Sequence, residues 1–366
     1  MITRRKSKKI MVGSVAVGGG APVSIQSMTN TDTRDVKATL EQIARLAEAG
    51  CQIIRLAVPD MEAAEAFGRI RKASPLPMVA DIHFDHRLAV AAIRQGADKV
   101  RINPGNIGGR DRVRAVLDAA GERGIPIRIG VNSGSVEKEL VQKYGGVSAE
   151  ALCESALRMI RFVEEMDFSD LVVSLKASDV ALNDAAHRLI AQKTEYPLHI
   201  GITESGTART GKVKSAIGIG SLLLAGIGDT MRVSLTGDPA EEVLFAKEIL
   251  KAAGIRKSGV NLISCPTCGR TRVDLDAVTR QVEQEIAPLE AEMEAQGLPG
   301  ITVAVMGCEV NGPGEAKEAD FGVACGKGVG ALFCRGEILR TVPEEAICRE
   351  LLTEIRRALG LCNITG

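Results

Sequence analysis

Two segments in the last third of the sequence have residue types and spacing that could bind a metal. They are Cys265-Pro-Thr-Cys268 and Cys308-Glu-Val-Asn-Gly-Pro-Gly-Glu315. Three cysteines fall one short of a four-thiolate zinc or iron-sulfur set, and the carboxylate of Glu315 can complete the set as an oxygen ligand. Glycines at positions 312 and 314 allow the backbone to fold closely around an inorganic cluster. The pattern indicates an iron-sulfur site, and a structural zinc or unligated buried thiols are the alternatives.

The other cysteines and the charge balance bear on location and on partners. Six cysteines lack paired spacing, which is typical of small core residues, and nine cysteines without a disulfide pattern favour a reducing, cytoplasmic compartment. The basic start of the chain is followed by a glycine-rich segment rather than an apolar signal region, and no long apolar run indicates a membrane span. Lys+Arg and Asp+Glu both number 46, so the net charge of zero predicts no nucleic-acid partner. The six cysteines that lack paired spacing are Cys51, Cys153, Cys325, Cys334, Cys348 and Cys362.

A second set of candidate residues lies at the ends of short Val/Ile-rich runs and is rich in cations and amides. Any one of them is equally typical of a solvated rim, but five cations from five runs predict a common site. Guanidinium groups bind phosphate oxygens in pairs, so the predicted ligand has two phosphates or one diphosphate. In chain order the set is Arg55, Asp81, His83, Arg101, Asn103, Arg128, Asn132, Lys176, His199, Glu204, Arg232 and Ser234.

The runs that carry these residues alternate with longer amphipathic stretches, which is the pattern of repeated βα units. Eight such units predict an α/β fold in which eight parallel strands close into a (β/α)8 TIM barrel. An open doubly wound sheet is the alternative, but it would show a phosphate-binding glycine turn after its first strand. The predicted strands are Val23–Met28, Gln52–Ala57, Pro77–His83, Lys99–Asn103, Pro126–Asn132, Leu171–Ala177, Leu198–Glu204 and Met231–Thr236.

The composition changes after the eighth helical pattern, and we predict a domain boundary there. Residues 1–253 form the substrate-binding barrel, with an N-terminal hairpin around Gly13 that closes the barrel floor. Residues 254–366 form a small α+β domain that contains the cysteines and binds the cluster. Apolar residues make up 45% of the chain and aromatic residues 2%, so aliphatic side chains must fill both cores.

Ten sequence segments together resemble the bacterial 4-hydroxy-3-methylbut-2-enyl diphosphate synthases. The resemblance runs in order from about Arg4 to the last predicted helix, and the connection after Ala253 leaves no room for the extra central domain of plant-type members. The segments are QSMTNT, VADIHFD, RINPGNIG, PIRIGVN, SLKASD, GITESG, KSAIGIG, MRVSLTGDP, SCPTC and GCEVNGPGE.

The resemblance implies a redox activity of the non-mevalonate isoprenoid pathway. The substrate would be 2-C-methyl-D-erythritol 2,4-cyclodiphosphate, reductively opened and dehydrated to (E)-4-hydroxy-3-methylbut-2-enyl diphosphate. Flavodoxin or ferredoxin would supply two electrons through a [4Fe-4S] cluster bound by Cys265, Cys268, Cys308 and Glu315. Asn311 would lie beside the cluster. The residues implied to bind the diphosphate are Arg55, Arg101, Asn103, Arg128, Asn132, Lys176, Arg232 and Ser234.

Three further expectations complete this interpretation. Glu204 is a candidate acid for the departing hydroxyl, with a salt bridge to a rim cation as the alternative. The eighth barrel helix must end at the barrel floor, so the short link to Cys265 favours a head-to-tail homodimer in which each cluster domain caps the partner's barrel. The rival functions are a non-redox barrel lyase or transferase with a zinc site, and a non-catalytic cluster-bearing sensor.

Overall fold

The computed structural model describes residues 2–256, 259–308 and 316–361. The chain divides into two compact units, Met1–Ile255 and Arg256–Gly366. The predicted domains, a substrate-binding domain of residues 1–253 and a cluster-binding domain of residues 254–366, stay predictions. In the described ranges, no helix has the length and apolarity needed to cross a membrane.

The first unit is an eight-stranded parallel barrel surrounded by helices, which confirms the predicted fold. An antiparallel hairpin, β1 (Ile10–Val12) and β2 (Val15–Val17), precedes it. The barrel strands are β3 (Ser24–Met28), β4 (Ile53–Ala57), β5 (Met78–Asp81), β6 (Lys99–Ile102), β7 (Ile127–Asn132), β8 (Leu171–Lys176), β9 (His199–Ile200) and β10 (Thr230–Met231). Their order is β8-β7-β6-β5-β4-β3-β10-β9, and a parallel bridge between Val173 and Leu198 joins the two ends.

The last two barrel strands are shorter than predicted. The predicted run Met231–Thr236 contributes only Met231 to β10, and the predicted run Leu198–Glu204 contributes only two residues to β9. The apolar residues beyond these strands, such as Ile202 and Val233, are still buried. The buried part of each predicted run is therefore longer than the part whose backbone pairs with a neighbouring strand.

Most of the barrel helices begin after a short polar side chain that caps their first turn. Five of them start after an aspartate whose carboxylate accepts a backbone N–H of the first turn, namely Asp35, Asp60, Asp85, Asp179 and Asp238. The helices are α1 (Val36–Glu48), α2 (Met61–Ala73), α3 (His86–Arg94), α4 (Pro104–Ile107), α5 (Arg110–Arg123), α6 (Lys138–Lys143), α7 (Ala149–Glu164), α8 (Val180–Ala191), α9 (Ala208–Leu224) and α10 (Pro239–Ala252).

The N-terminal hairpin closes the barrel floor. Ile10, Val12 and Val17 pack against Ile53, Val79 and Val172, which lie near the starts of three barrel strands. Gly13 forms the turn with a φ of +56°, and a Cβ there would lie 3.0 Å from Asp98 Oδ1 and from Pro77 Cβ. The turn therefore requires glycine both for its backbone conformation and for the close approach to these neighbours.

The second unit is an α+β fold around one five-stranded sheet. Its strands, in sheet order, are β11 (Val260–Ser264), β12 (Ile301–Met306), β13 (Phe321–Cys325), β14 (Val329–Cys334) and β15 (Glu337–Pro343). The first three are parallel and the last two are antiparallel. Helices α11 (Leu275–Ala295) and α12 (Ile347–Ala358) contribute to one hydrophobic core with the sheet.

Candidate active site

The barrel strands alternate apolar residues that face the helices with polar residues that face the interior. On β4 and β6, for example, Ile54, Leu56, Val100 and Ile102 belong to the core between strands and helices. The residues between them point to the other side of the sheet because strand side chains alternate with a period of two. Most barrel interiors are filled with Val, Ile and Leu, whereas this interior collects cations. The interior basic residues are Arg55, Lys99, Arg101, Arg128, Lys176 and, just after β10, Arg232.

Asp81, at the end of β5, holds two of the arginines together. Its Oδ1 accepts a hydrogen bond from Arg101 Nη1 at 3.3 Å, and its Oδ2 lies 3.8 Å from Arg55 Nε. Burial opposes ionisation of Asp81, but Arg55, Arg101 and Arg128 outweigh burial and place the pKa of its carboxyl below the ordinary value. Asp81 is therefore an anion that orients cations, and its charge leaves it unsuited to bind a phosphate.

Arg232 is oriented by a carboxylate from a helix. Glu242 on α10 is buried and lies 3.3 Å from Arg232 Nη2, while its Oε1 also accepts the backbone N–H of Leu235 at 3.0 Å. Arg232 Nη1 lies 3.5 Å from Met28 Sδ, and Arg55 Nη2 lies 3.0 Å from the same sulfur. These contacts place Arg55 and Arg232 on either side of Met28 at the barrel mouth, meaning the end where the strands terminate.

Two of the predicted cations, Arg128 and Lys176, have no carboxylate within 4.0 Å in the part of the chain that the structure describes. Both are buried, and burial lowers their pKa values well below the ordinary ones, with Arg55 acting in the same direction on each. Burial likewise lowers the pKa of Arg55 to about 10. Among the described residues, six basic side chains of the interior meet only two buried carboxylates, Asp81 and Glu242, so basic groups outnumber acidic ones at this site. Such an excess in a desolvated site favours a polyanionic ligand.

The amide and hydroxyl residues of the predicted set lie at the mouth but are partly occupied by local structure. Asn103 Oδ1 accepts the N–H of Gly105 and begins α4, and the backbone N–H of Asn132 donates to Ser135 Oγ. The backbone oxygen of Ser234 accepts a hydrogen bond from Ser205. These bonds fix the loops at the mouth and leave the amide nitrogens of Asn103 and Asn132 and the hydroxyl of Ser234 to contact a ligand.

Glu204 and His199 lie in unlike surroundings, although both were predicted at the same strand end. Glu204 is exposed, has a φ of +51°, and makes no ion pair with any residue of the described ranges. The alternative interpretation of Glu204 as a salt-bridge partner therefore has no support there. His199 is fully buried in the barrel interior rather than at the rim, and burial lowers its pKa well below the ordinary value. Gly201, two residues later, leaves room for Lys176, whose Nζ would lie 3.0 Å from an added Cβ.

Three interior residues were not given a role in the sequence interpretation. Lys99 could have been found, because it precedes Arg101 by two residues and must share its face. Met28 lies within a quoted segment, but nothing in the sequence links its sulfur to Arg55 and Arg232. Glu242 offers no local signal, since it reaches the mouth only because α10 packs back along the barrel.

The three cysteines predicted as cluster ligands lie beyond the ends of two neighbouring parallel strands. Cys265 follows β11 and Cys308 follows β12, and the strands pair with Ser264 opposite Val305. The backbone N–H of Gly307 donates to Cys265 Sγ at 3.2 Å, and the N–H of Arg272 donates to the carbonyl of Gly307 at 3.2 Å. The loop that bears Cys268 is thereby tied to the segment that leads to Cys308.

These surroundings fit thiolate ligands. Hydrogen bonds from the backbone and side chain of Arg270 lower the pKa of the exposed Cys268, and the N–H of Gly307 is placed to support a metal-bound sulfur of Cys265. In residues 2–256, 259–308 and 316–361, no three His, Cys, Asp or Glu side chains are close enough together to hold a metal ion. The predicted ligand Glu315 and the predicted neighbour Asn311 lie outside the described residues. The chemistry of the three described cysteines suits iron, and the fourth ligand stays a prediction.

The first unit has the architecture of barrel enzymes that bind substrate at the strand ends, and the second unit carries the cysteines. The GcpE TIM-barrel domain matches residues 7–247, and the GcpE protein C-terminal domain matches residues 261–357. The chain therefore belongs to the GcpE family, which confirms the resemblance inferred from the sequence.

Similar proteins cover almost the whole chain. A protein of Geobacter sulfurreducens is 56% identical over 357 residues, covering 98% of this chain and 99% of its own. One from Ruminiclostridium cellulolyticum is 55% identical over 354 residues, covering 97% and 98%. A third, from Caldanaerobacter subterraneus subsp. tengcongensis, is 54% identical over 358 residues, covering 98% and 99%. Each is named 4-hydroxy-3-methylbut-2-en-1-yl diphosphate synthase (flavodoxin).

Proposed function

We propose that this chain converts 2-C-methyl-D-erythritol 2,4-cyclodiphosphate to (E)-4-hydroxy-3-methylbut-2-enyl diphosphate by reductive ring opening and dehydration. The observation that carries the proposal is the identity of 55% and 56%, over almost the whole chain, to two relatives named for synthesis of this diphosphate. The cationic barrel mouth supports it independently, because a cyclic diphosphate supplies the negative charge that the mouth lacks. Flavodoxin, which appears in the name of these relatives, is the proposed electron donor. We also propose a cytoplasmic location.

The mouth residues have defined tasks in this reaction. Arg55, Arg101, Arg128, Lys176 and Arg232 bind the diphosphate and neutralise the charge that builds up on its oxygen as the ring carbon–oxygen bond breaks. Since Asp81 and Glu242 already hold three of the arginines in place, little reorganisation is needed when charge develops. Glu204, exposed and without an ion pair in the described ranges, is the proposed proton donor to the departing hydroxyl.

GcpE-family enzymes are known iron-sulfur proteins, and we propose a [4Fe-4S] cluster bound by Cys265, Cys268, Cys308 and Glu315. The cluster supplies single electrons, which no side chain of the chain can provide. The residues of this chain contribute the thiolates and the N–H donors to sulfur that stabilise them.

Turnover under anaerobic conditions tests the proposed function. Purified protein with dithionite and a redox mediator should consume the cyclodiphosphate, and mass spectrometry should identify the linear hydroxylated diphosphate. A colourless zinc-containing preparation that converts a phosphorylated substrate without a reductant would contradict the redox function.

Replacing Glu315 by alanine should abolish turnover and lower the iron content, because one of four cluster ligands is lost. The barrel unit should be unaffected, since it forms its own compact unit. The turnover assay measures the first effect, iron analysis and the visible spectrum measure the second, and thermal unfolding measures the third. An alanine variant with wild-type iron content and activity would remove Glu315 from the ligand set.

Replacing Arg101 or Arg232 by alanine should each weaken substrate use by about 1.5 to 3 kcal/mol, or about 10- to 150-fold in kcat/KM, the range for a lost charge-assisted hydrogen bond. The cluster spectrum should not change. Arg232→Ala should also lower the melting temperature more than Arg101→Ala, because it leaves Glu242 buried with no cation, whereas Asp81 keeps Arg55. Arg45→Ala, which removes an exposed arginine paired with Asp238, is the matched control. Unchanged kcat and KM in both variants would withdraw these arginines from the site.

We further propose that the active enzyme is a head-to-tail homodimer with sites shared between chains. Only residues 253–259 separate α10 from β11, a link of at most about 25 Å when fully extended. We infer that a link this short does not let the cluster unit reach the mouth of its own barrel. An exposed apolar stripe on α9, formed by Val213, Ile217 and Leu224, supports association between copies.

A further inference from the structure

Lys99 is an interior cation that no predicted role accounts for. It is the first residue of β6, is fully buried, and pairs across the sheet with Val79, which packs on the floor hairpin. Arg101, two residues later, is about 6.6 Å nearer the mouth. Lys99 therefore lies between the apolar floor and the residues that bind the ligand, too deep to contact solvent.

The surroundings of Lys99 disfavour its charged form. Its Nζ lies 3.5 Å from Gln26 Oε1, and no carboxylate lies within 4.0 Å in the described ranges. The charged groups that act on it are the guanidinium groups of Arg128 on β7 and Arg55 on β4, while the hairpin below is apolar. Burial, reinforced by both arginines, lowers the pKa of Lys99 well below the ordinary value.

The neighbouring polar groups are also unsatisfied. Gln26 Nε2, Arg128 Nε and Nη1, and both ring nitrogens of His199 are buried without a hydrogen-bond partner in the described ranges. Burial disfavours the charged form of His199, and Arg128, Lys176 and Arg55 act in the same direction. Donors greatly outnumber acceptors in this part of the barrel, and a nearby anion relieves that imbalance more strongly in a low dielectric than in water.

We propose that Lys99 is neutral in the empty barrel and takes up a proton when an anionic diphosphate binds at the mouth. This inference rests on the proposed function, and it assigns Lys99 a positioning role without contact to the ligand. An arginine cannot serve in this way because it keeps its proton, whereas a buried lysine readily changes its charge state. The proton comes from solvent, and the ammonium so formed offsets part of the ligand's charge.

Calorimetric titration of the cluster-containing enzyme without reductant tests the proposal. The cyclodiphosphate is added at pH 8 in two buffers of different ionisation heat, and the difference in binding heat gives the number of protons taken up. Each phosphorus of this ligand has one ester bond, one anhydride bond and a single strongly acidic hydroxyl that is fully ionised at that pH, so the ligand itself does not titrate. Lys99→Met has similar length and no charge, and Lys37→Met on exposed α1 is the matched control.

Wild type and Lys37→Met should take up protons, and Lys99→Met should take up about one fewer per site. Any uptake by Lys176 remains in the variant and cancels in the comparison. Lys99→Arg should fold if the methionine variant does not, and it should likewise bind without this proton. Equal proton uptake in wild type and both Lys99 variants overturns the inference and leaves the proposed function standing. Absence of binding to wild-type enzyme overturns the proposed function and this inference with it.

Thermal unfolding of the ligand-free enzyme gives a second readout. An unfolded lysine is protonated at neutral pH while Lys99 in the folded barrel is not, so the unfolded state binds more protons. The stability of wild type should therefore rise with pH below the ordinary lysine pKa, relative to Lys99→Met. Parallel stability curves for the two proteins between pH 6 and pH 9 would contradict a neutral Lys99.

Discussion

Replacing Cys265 by alanine should reduce turnover to the background of the assay and remove the iron. Cys265 lies beyond β11 with Gly307 N–H donating to its sulfur, so its thiolate is already oriented by the neighbouring strand end. Losing one of three thiolate ligands leaves a cluster that cannot be retained. Iron and sulfide analysis and the visible spectrum measure the loss, and circular dichroism checks that the barrel unit stays folded.

Cys325→Ala is the matched control for this experiment. Cys325 ends β13 at the same edge of the sheet but is fully buried, and burial raises the pKa of its thiol. As a small core residue it should lose little beyond its packing, and iron content and turnover should stay near wild type. Iron loss in this variant, with Cys265→Ala retaining its cluster, would reassign the ligand set.

Mixed dimers should recover activity from one impaired parent and one inactive parent. An Arg101→Ala chain has a defective barrel and an intact cluster unit, and a Cys308→Ala chain has the reverse. If sites are shared, each mixed dimer contains one site built from the intact barrel of one chain and the intact cluster unit of the other. Two different affinity tags allow purification of the mixed dimer alone, which should show half of the wild-type turnover per dimer.

The alternative gives a clear contrast. If each chain builds its own site, every site in the mixed dimer has either the barrel defect or the cluster defect. Turnover would then stay at or below half of the Arg101→Ala parent, and the shared site would be rejected. The Cys308→Ala homodimer, purified by the same two tags, gives the background.

The barrel was predictable because its signal is repeated and local. Each Val/Ile-rich run is flanked by an amphipathic stretch, and an aspartate begins five of the helices, so each unit supports the same interpretation. The lengths of β9 and β10 were not predictable, because apolar residues such as Ile202 remain buried after the strand pairing has ended. An apolar sequence predicts that a residue is buried. Whether the residue belongs to a strand depends on its backbone hydrogen bonds to a neighbouring strand, which the sequence does not show.

The sequence indicated which charged residues lie at the site better than it indicated how deeply each one is buried. Residues at strand ends were expected to gather cations, and basic side chains do lie on the inner face of the described strands, whereas His199 was expected at the mouth and is buried. Their role in binding stays a prediction. Lys99 went without a role because a lysine near a strand start is normally a solvated residue. The partner of Arg232 is Glu242, ten residues later on a helix, and only tertiary packing brings the two together.

The floor hairpin has a consequence for synthesis of the chain. Its apolar residues leave the ribosome before the barrel strands, and one of their partners, Val172, follows Val12 by 160 residues. At the usual rate of translation this interval lasts about 8 to 32 seconds. During that time Ile10, Val12 and Val17 lack part of the surface that will bury them. The nascent hairpin is thus an exposed apolar segment, of the kind that promotes aggregation of incomplete chains, until the sixth barrel strand emerges.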